Sequence, residues 1–301
     1  MKKTIQILLM LTGLGTGVLC WLDATRWIDP ATGFPTMGPV WVRYGAGLAL
    51  FLLAAAASTL SVRHFSVMAK RSKSAAAAAM GSGVLCAVIG AFRLAKAFPN
   101  LQALVAAGKA IEGEGFQWYL VNFIQNCGGD TLMGVFALFF AWTMISQSVY
   151  WCVKSPGEYP SGGVYCAMSG ILYLGGVAFE RFLMNTSSVY RVYHVWQLLS
   201  IMLAVLFMLS LLRVTFFPET NREKSCTRNG LACFYGCTCC DAVFTMALWR
   251  MGGQVTMGNL LTSLLLGMIG LLGLAVAIRL IDPDQKFAEE DEPEQEEEYL
   301  D

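Results

Sequence analysis

The chain alternates between long apolar stretches and short polar connections. Eight stretches of about 20 residues are almost free of charge, and a helix of that length crosses the hydrocarbon core of a bilayer. The predicted spans are residues 4–22, 44–62, 75–98, 131–153, 162–183, 192–213, 230–250 and 258–281. The pattern therefore predicts an all-α protein, a polytopic integral membrane helical bundle of about eight transmembrane helices.

Residues 99–115 do not fit a span. Apolar positions such as Leu101, Leu104 and Val105 recur there at helical spacing, while polar residues occupy other faces. This pattern is typical of a short amphipathic helix that lies on the membrane surface.

The connection that follows leads into the fourth span. Gly128 and Gly129 are expected to break the chain, because two adjacent glycines disfavour a helix. Asp130 and Thr131 come next, and their side chains can cap the first turn of a new helix. The fourth span is therefore expected to begin at residue 131.

Composition supports the membrane assignment and isolates one segment. Hydrophobic residues make up 56% of the chain and charged residues only 14%, against roughly 25% charged in an average soluble domain. Residues 282–301 hold eleven of the 21 acids and carry a charge of −10, so residues 1–281 carry +10. The tail is predicted to be disordered. The lipid bilayer is the expected partner, and no nucleic acid is expected.

The distribution of basic residues predicts the orientation. With the N-terminus inside, thirteen of the 21 lysines and arginines lie on the inner side and eight on the outer side. Cytoplasmic connections carry the excess of Lys and Arg in membrane proteins. Both termini are therefore predicted to be cytoplasmic, in a multi-pass protein of the cell (plasma) membrane.

The seventh predicted span contains an acid near its middle, Asp241. A carboxylate at the centre of a bilayer costs about 2.5–3.5 kcal/mol on the insertion scale, so such residues usually face the protein interior. Two interpretations are open. Asp241 is either a proton relay or a structural partner of Arg93, Arg181 or His194.

Three cysteines precede Asp241 in the same span. Cys233, Cys237 and Cys240 share one face of an α-helix. Converging thiolates bind soft metals such as Cu(I), and Cys237 with Cys240 has the spacing of a redox pair. The alternative is that they pack helices as small apolar residues. The sequence requires no cofactor, and its two histidines are too few for a haem or zinc core.

Charged residues also gather near the outer ends of the predicted spans. Together with Asp241, they form a candidate intramembrane polar site made of Arg93, Asp130, Glu180, Arg181, His194 and Arg250. Guanidinium groups in an outer vestibule suit an anionic small solute or a lipid headgroup. The alternative is that each arginine extends to the interface and anchors its own helix.

These features favour movement of a small solute or ion, or service as a membrane subunit of such a system. The first alternative is a non-catalytic membrane protein that assembles with or regulates a partner subunit. The second is a membrane redox or lipid-modifying enzyme, although no catalytic residue can be assigned from a motif.

Overall fold

The computed structural model describes residues 2–27, 29, 40–61, 71–110, 116–153, 163–183, 191–217, 222–252 and 255–282. These residues are almost entirely helical. The α-helices are α1 (Lys2–Leu22), α2 (Val40–Ser58), α3 (Lys73–Ala110), α4 (Phe116–Phe123), α5 (Gly129–Val153), α6 (Gly163–Leu183), α7 (Arg191–Phe216), α8 (Glu223–Cys233), α9 (Val243–Arg250) and α10 (Met257–Leu280).

Three π-helical segments extend or join these helices. Asp23–Trp27 continues α1, Ile124–Gly128 joins α4 to α5, and Phe234–Ala242 joins α8 to α9. A π-helix closes its hydrogen bonds over five residues instead of four, and is usually limited to one turn. The nine-residue segment Phe234–Ala242 is longer than that, and we call it the π segment.

Within the described ranges, seven helices are long and apolar enough to cross a membrane. This confirms an all-α, polytopic helical bundle. The predicted second span corresponds to α2, whose described apolar stretch, Gly45–Ser58, is shorter than the others. The total of eight spans therefore stays a prediction. The acidic tail lies outside the described residues from position 283 onward.

Two expected boundaries between helices are absent, the end of the third span at residue 98 and the break at Gly128 and Gly129. Helix α3 continues through Pro99 to Ala110, although proline provides no N–H for the helix. Gly129 has helical torsion angles of φ −60° and ψ −56°, so the chain is helical from Phe116 to Val153 and Asp130 does not cap a new helix. A glycine lowers helix stability by only about 1 kcal/mol, which packing of α5 along α3 compensates.

Glycines allow the helices to approach closely. A Cβ atom on Gly273 of α10 would lie 2.5 Å from the carbonyl oxygen of Gly230 on α8. A Cβ on Gly90 of α3 would lie 3.0 Å from the oxygen of Gly134 on α5. Helices that cannot gain stability from a hydrophobic effect in lipid depend on such backbone contacts. Helix α10 is the most buried of the seven long apolar helices and α1 the least.

The start of the first helix and the end of the last one meet. Lys2 Nζ lies 3.2 Å from Asp282 Oδ2, and the backbone N–H of Asp282 donates to the carbonyl of Leu60 at 3.2 Å. The Ser61 hydroxyl reaches Thr227 Oγ1 at 2.7 Å. The beginnings of α1 and α8 and the ends of α2 and α10 therefore share one end of the bundle. Which side of the membrane this end faces stays a prediction.

Candidate intramembrane polar site

Near the other end of the bundle, charged side chains join α3, α5 and α6. Arg93 on α3 donates two hydrogen bonds to Glu180 on α6, from Nη1 to Oε1 at 2.7 Å and from Nη2 to Oε2 at 2.6 Å. Arg93 Nη1 also donates to Asp130 Oδ1 at 3.2 Å, and Lys96 Nζ lies 2.9 Å from Asp130 Oδ2. We call these four residues the Arg93 network.

The Arg93 network is balanced in charge, with two cationic and two anionic side chains. Its central bond has fork geometry, in which a planar guanidinium meets both oxygens of a carboxylate, the strongest form of such a pair. The Arg93 side chain retains 17% of its exposure and that of Lys96 retains 66%. The network therefore connects three helices, and Lys96 is its most exposed member.

The second polar group surrounds Asp241. This residue lies in the π segment, is 3% exposed, and forms a hydrogen bond with the Ser263 hydroxyl. Its Oδ2 atom has no hydrogen-bond partner among the described residues. Buried polar groups are nearly always paired, so this oxygen is the least satisfied part of the acid.

Side chains from three more helical segments complete the surroundings of Asp241. Thr245 on α9 donates to Ser263 Oγ on α10 at 3.1 Å, and Gln197 Nε2 on α7 reaches the same oxygen at 3.4 Å. All three are at most 2% exposed. We call Asp241, Ser263, Thr245, Gln197 and Arg181 the Asp241 cluster.

Arg181 supplies the positive charge of the Asp241 cluster. It lies at the end of α6, is 8% exposed, and interacts electrostatically with the Asp241 carboxylate. Its neighbour Glu180 binds Arg93 instead. The end of α6 therefore presents a negative group to one polar group and a positive group to the other.

The remaining residues of the predicted site are placed differently. Arg93 pairs with Glu180 and Asp130, so it is Arg181 whose charge acts on Asp241. Arg250 is exposed at the end of α9, as expected for an arginine that anchors its own helix. His194 lies in α7, but its side chain is outside the described residues.

Two of the three cysteines of the predicted cluster are in contact. Cys233 Sγ and Cys237 Sγ lie 3.7 Å apart, and Cys237 Sγ donates to the Ser200 carbonyl at 3.1 Å. Cys240 is partly exposed, whereas Cys233 and Cys237 are buried. The shared face assumed an α-helix, whereas each residue of a π-helix turns the chain through a smaller angle. No group of three or more possible metal ligands comes together in the described part of the chain.

The sequence analysis did not select Gln197, Thr245 and Ser263 as site residues. A signal existed for Gln197, because an amide in an apolar span usually faces protein. Serine and threonine gave no signal, since their hydroxyls can bond the preceding turn of their own helix.

The geometry of the Asp241 cluster defines what it can do. A carboxylate with one paired and one open oxygen can accept a proton, or a hydrogen bond from a ligand, without losing its anchor at Ser263. A nearby guanidinium can stabilise the charged carboxylate, or an anion when the carboxylate is neutral. No protein-family model, no curated protein and no solved structure matches this chain. The function is therefore inferred from the site itself.

Proposed function

We propose that this protein moves a small solute or ion across the cell membrane, and that the Asp241 cluster is its binding site. The observation that supports this proposal is the open Oδ2 atom of Asp241, on a side chain that is 3% exposed inside a helical bundle. Ionisable residues inside membrane proteins usually mark pathways for substrates, ions or protons.

The energetic cost of the open Asp241 oxygen supports this proposal. A buried polar atom without a partner costs about 1–3 kcal/mol. An asparagine would accept the same hydrogen bond from Ser263 and carry no charge, so the contact with Ser263 alone does not need an acid. The π segment supports the same conclusion, because π-helical turns occur frequently at functional sites.

The Asp241–Arg181 pair suggests how binding is controlled. When Asp241 is charged, it neutralises Arg181. When Asp241 takes up a proton, it no longer offsets the positive charge of Arg181, and the cluster becomes more favourable for an anionic solute. Proton uptake and anion binding would then favour each other, as two coupled ligands must.

The experiment is a proton-flux assay in liposomes that contain the purified protein and an enclosed pH-sensitive dye. A potassium gradient with valinomycin supplies the driving force. We expect flux with the natural protein and none with Asp241→Asn, which keeps the size and the hydrogen bond to Ser263. Asp282→Asn makes the same change at the far end of the bundle and should keep the flux. Equal flux with and without the Asp241 carboxyl would overturn this role.

A second candidate function is assembly with a partner membrane subunit. Helix α1 is the least buried long helix, and Leu11 and Leu14 on it are 60% and 67% exposed. Such a face can meet lipid or another helix. Native mass spectrometry of mildly extracted protein tests this function, because a bound subunit adds its mass and lipid alone adds only small increments.

A further inference from the structure

Positively charged side chains gather at the end of the bundle where Lys2 meets Asp282. Exposed lysines and arginines lie there around the beginnings of α1, α3 and α8 and near the end of α7. They are Lys3, Arg71, Lys73, Arg213, Arg222, Lys224 and Arg228. We call these seven residues the basic surface.

Contacts between helices show that these residues share one end of the bundle. The backbone N–H of Ser72, just before α3, donates to the carbonyl of Trp151 at 3.3 Å. The guanidinium carbon of Arg279, near the end of α10, lies 5.7 Å from the centre of the Trp151 ring. Asn229 on α8 donates to Ser210 Oγ on α7 at 2.6 Å. The start of α3 and the end of α7 therefore lie at the same end of the bundle as the end of α10.

Few negative charges oppose the basic surface. The described acids at this end are Glu223, which is 3% exposed, and Asp282, which pairs with Lys2. All members of the basic surface except Arg71 lack an ion pair within the described ranges. A concentrated positive charge of this kind attracts an anionic partner.

We propose that the acidic tail beyond Asp282 folds back onto the basic surface of its own chain. Residues 283–301 contain ten acids and one lysine, which gives them a charge of −9. The preceding residue, Asp282, pairs with Lys2 at 3.2 Å, and its N–H donates to the Leu60 carbonyl at 3.2 Å. The tail therefore starts at the end of the bundle that carries the basic surface, and the acid at its start already pairs with a lysine there.

The length and the attachment of the tail favour it as the occupant. Residues 283–301 span up to about 65 Å when fully extended, and neighbouring helices are about 8–10 Å apart, so the tail can reach the cations on several helices. A short flexible segment fixed at one end has an effective concentration in the millimolar range. Anionic lipid headgroups are the main competitor, because basic residues beside a membrane attract them.

Binding of the tail would neutralise much of the positive charge at this end of the protein. Salt screens such contacts, with a screening length of about 8 Å at physiological ionic strength, so the tail should dissociate as salt is raised. The proposal goes beyond the transport function and does not depend on it, because the Asp241 cluster takes no part in the contact.

Carbodiimide cross-linking tests the contact in the full chain. A water-soluble carbodiimide joins a carboxylate to an adjacent amine in protein held in lipid nanodiscs, and peptide mass spectrometry identifies the joined residues. We expect links from the tail to Lys3, Lys73 or Lys224, and a several-fold lower yield at high salt. Lys96 Nζ and Asp130 Oδ2, 2.9 Å apart near the other end, provide the positive control for the reagent and the fold.

Two double variants provide a matched comparison. Arg222→Gln with Arg228→Gln removes two charges from the basic surface and keeps its lysines, so the yield of tail links should fall several-fold. Arg26→Gln with Arg250→Gln removes two exposed charges elsewhere and should leave the yield unchanged. Size-exclusion chromatography checks that both variants remain folded.

Two further samples identify the occupant. A mixture of heavy-isotope and normal protein separates links within one chain from links between two chains. Nanodiscs with and without anionic lipid measure the competition from headgroups, and we expect the links in both.

Each outcome decides the proposal. Salt-sensitive links within one chain, weakened by the first double variant and not by the second, support it. Links between chains alone, or no links from the tail, would overturn it. Links that disappear with anionic lipid would assign the basic surface to headgroups instead. An equal yield in the two double variants would show that the basic surface does not hold the tail. Failure of proton flux in the natural protein would leave all of these results unchanged.

Discussion

Arg93 and Glu180 form a two-point ion pair across α3 and α6, with both nitrogen–oxygen distances at or below 2.7 Å. The charge of the next residue on α6, Arg181, acts electrostatically on Asp241. The end of α6 therefore contributes to two polar groups. Glu180 helps to hold the helices together through Arg93, and Arg181 belongs to the cluster that contains the open oxygen of Asp241. We therefore regard the Arg93 network as structural and the Asp241 cluster as the candidate site.

Removal of Arg93 should destabilise the bundle. Breaking a fully buried ion pair costs about 3–5 kcal/mol. Because about a third of the Glu180 side chain is exposed, we expect roughly 1–3 kcal/mol from Arg93→Ala. Thermal unfolding in detergent should show a midpoint several degrees lower. Lys96→Ala is the control and should change little, since that lysine is 66% exposed. Equal midpoints for Arg93→Ala and the natural protein would contradict the structural role.

The contact between α8 and α10 predicts a strong effect from a single methyl group. In Gly273→Ala, the new Cβ would meet the Gly230 carbonyl oxygen at 2.5 Å, and backbone cannot move aside as a flexible side chain can. We expect a markedly lower unfolding temperature or loss of the folded protein. The matched control is Gly258→Ala on the same helix, where the added carbon meets nothing within 4 Å. If both variants unfold at the same temperature, the close approach of the two helices is wrong.

The contact between Lys2 and Asp282 predicts the topology of the two ends. Tags fused before α1 and after α10 should be found on the same side of the membrane, and the excess of basic residues predicts that this side is the cytoplasm. Protease protection in sealed vesicles, with a detergent-treated sample as the control, measures this. Tags on opposite sides would require an odd number of spans and would exclude the described packing.

The Ser263 hydroxyl should matter for proton movement more than for stability. It is the shared partner of Asp241, Thr245 and Gln197, so Ser263→Ala would leave the acid without its anchor. We expect proton flux to fall several-fold in the liposome assay. Ser82→Ala is the control, because Ser82 is equally buried but bonds the Ala78 carbonyl of its own helix at 2.9 Å. Flux that falls equally in both variants would contradict a specific role for Ser263.

Much of the fold could be predicted from the pattern of apolar residues, because a helix that crosses lipid must be about 20 apolar residues long. The same reasoning selected Asp241 and the arginines as a candidate polar site, which stays a prediction. Hydropathy does not depend on hydrogen-bond register, however. It could not show that residues 234–242 are π-helical.

The end of the third span expected at residue 98 and the break expected at Gly128 and Gly129 were wrong for a related reason. Proline and glycine weaken an isolated helix, but in a bundle the packing between helices determines whether a helix continues. Gly134 and Gly90 bring α5 and α3 close together, and this contact favours a continuous helix through Gly129. Partners from distant spans, such as Gln197 and Ser263, depend on the same packing and carry only weak signals in the sequence.

The proposed function depends most on the ability of Asp241 to take up a proton inside the bundle. Dicyclohexylcarbodiimide, an apolar reagent, attaches to protonated carboxyl groups within membranes, and peptide mass spectrometry locates the adduct. We predict one adduct at Asp241 in the natural protein, none at that position in Asp241→Asn, and less as the pH is raised. An unmodified Asp241 at every pH, in protein that remains folded, would contradict the central claim.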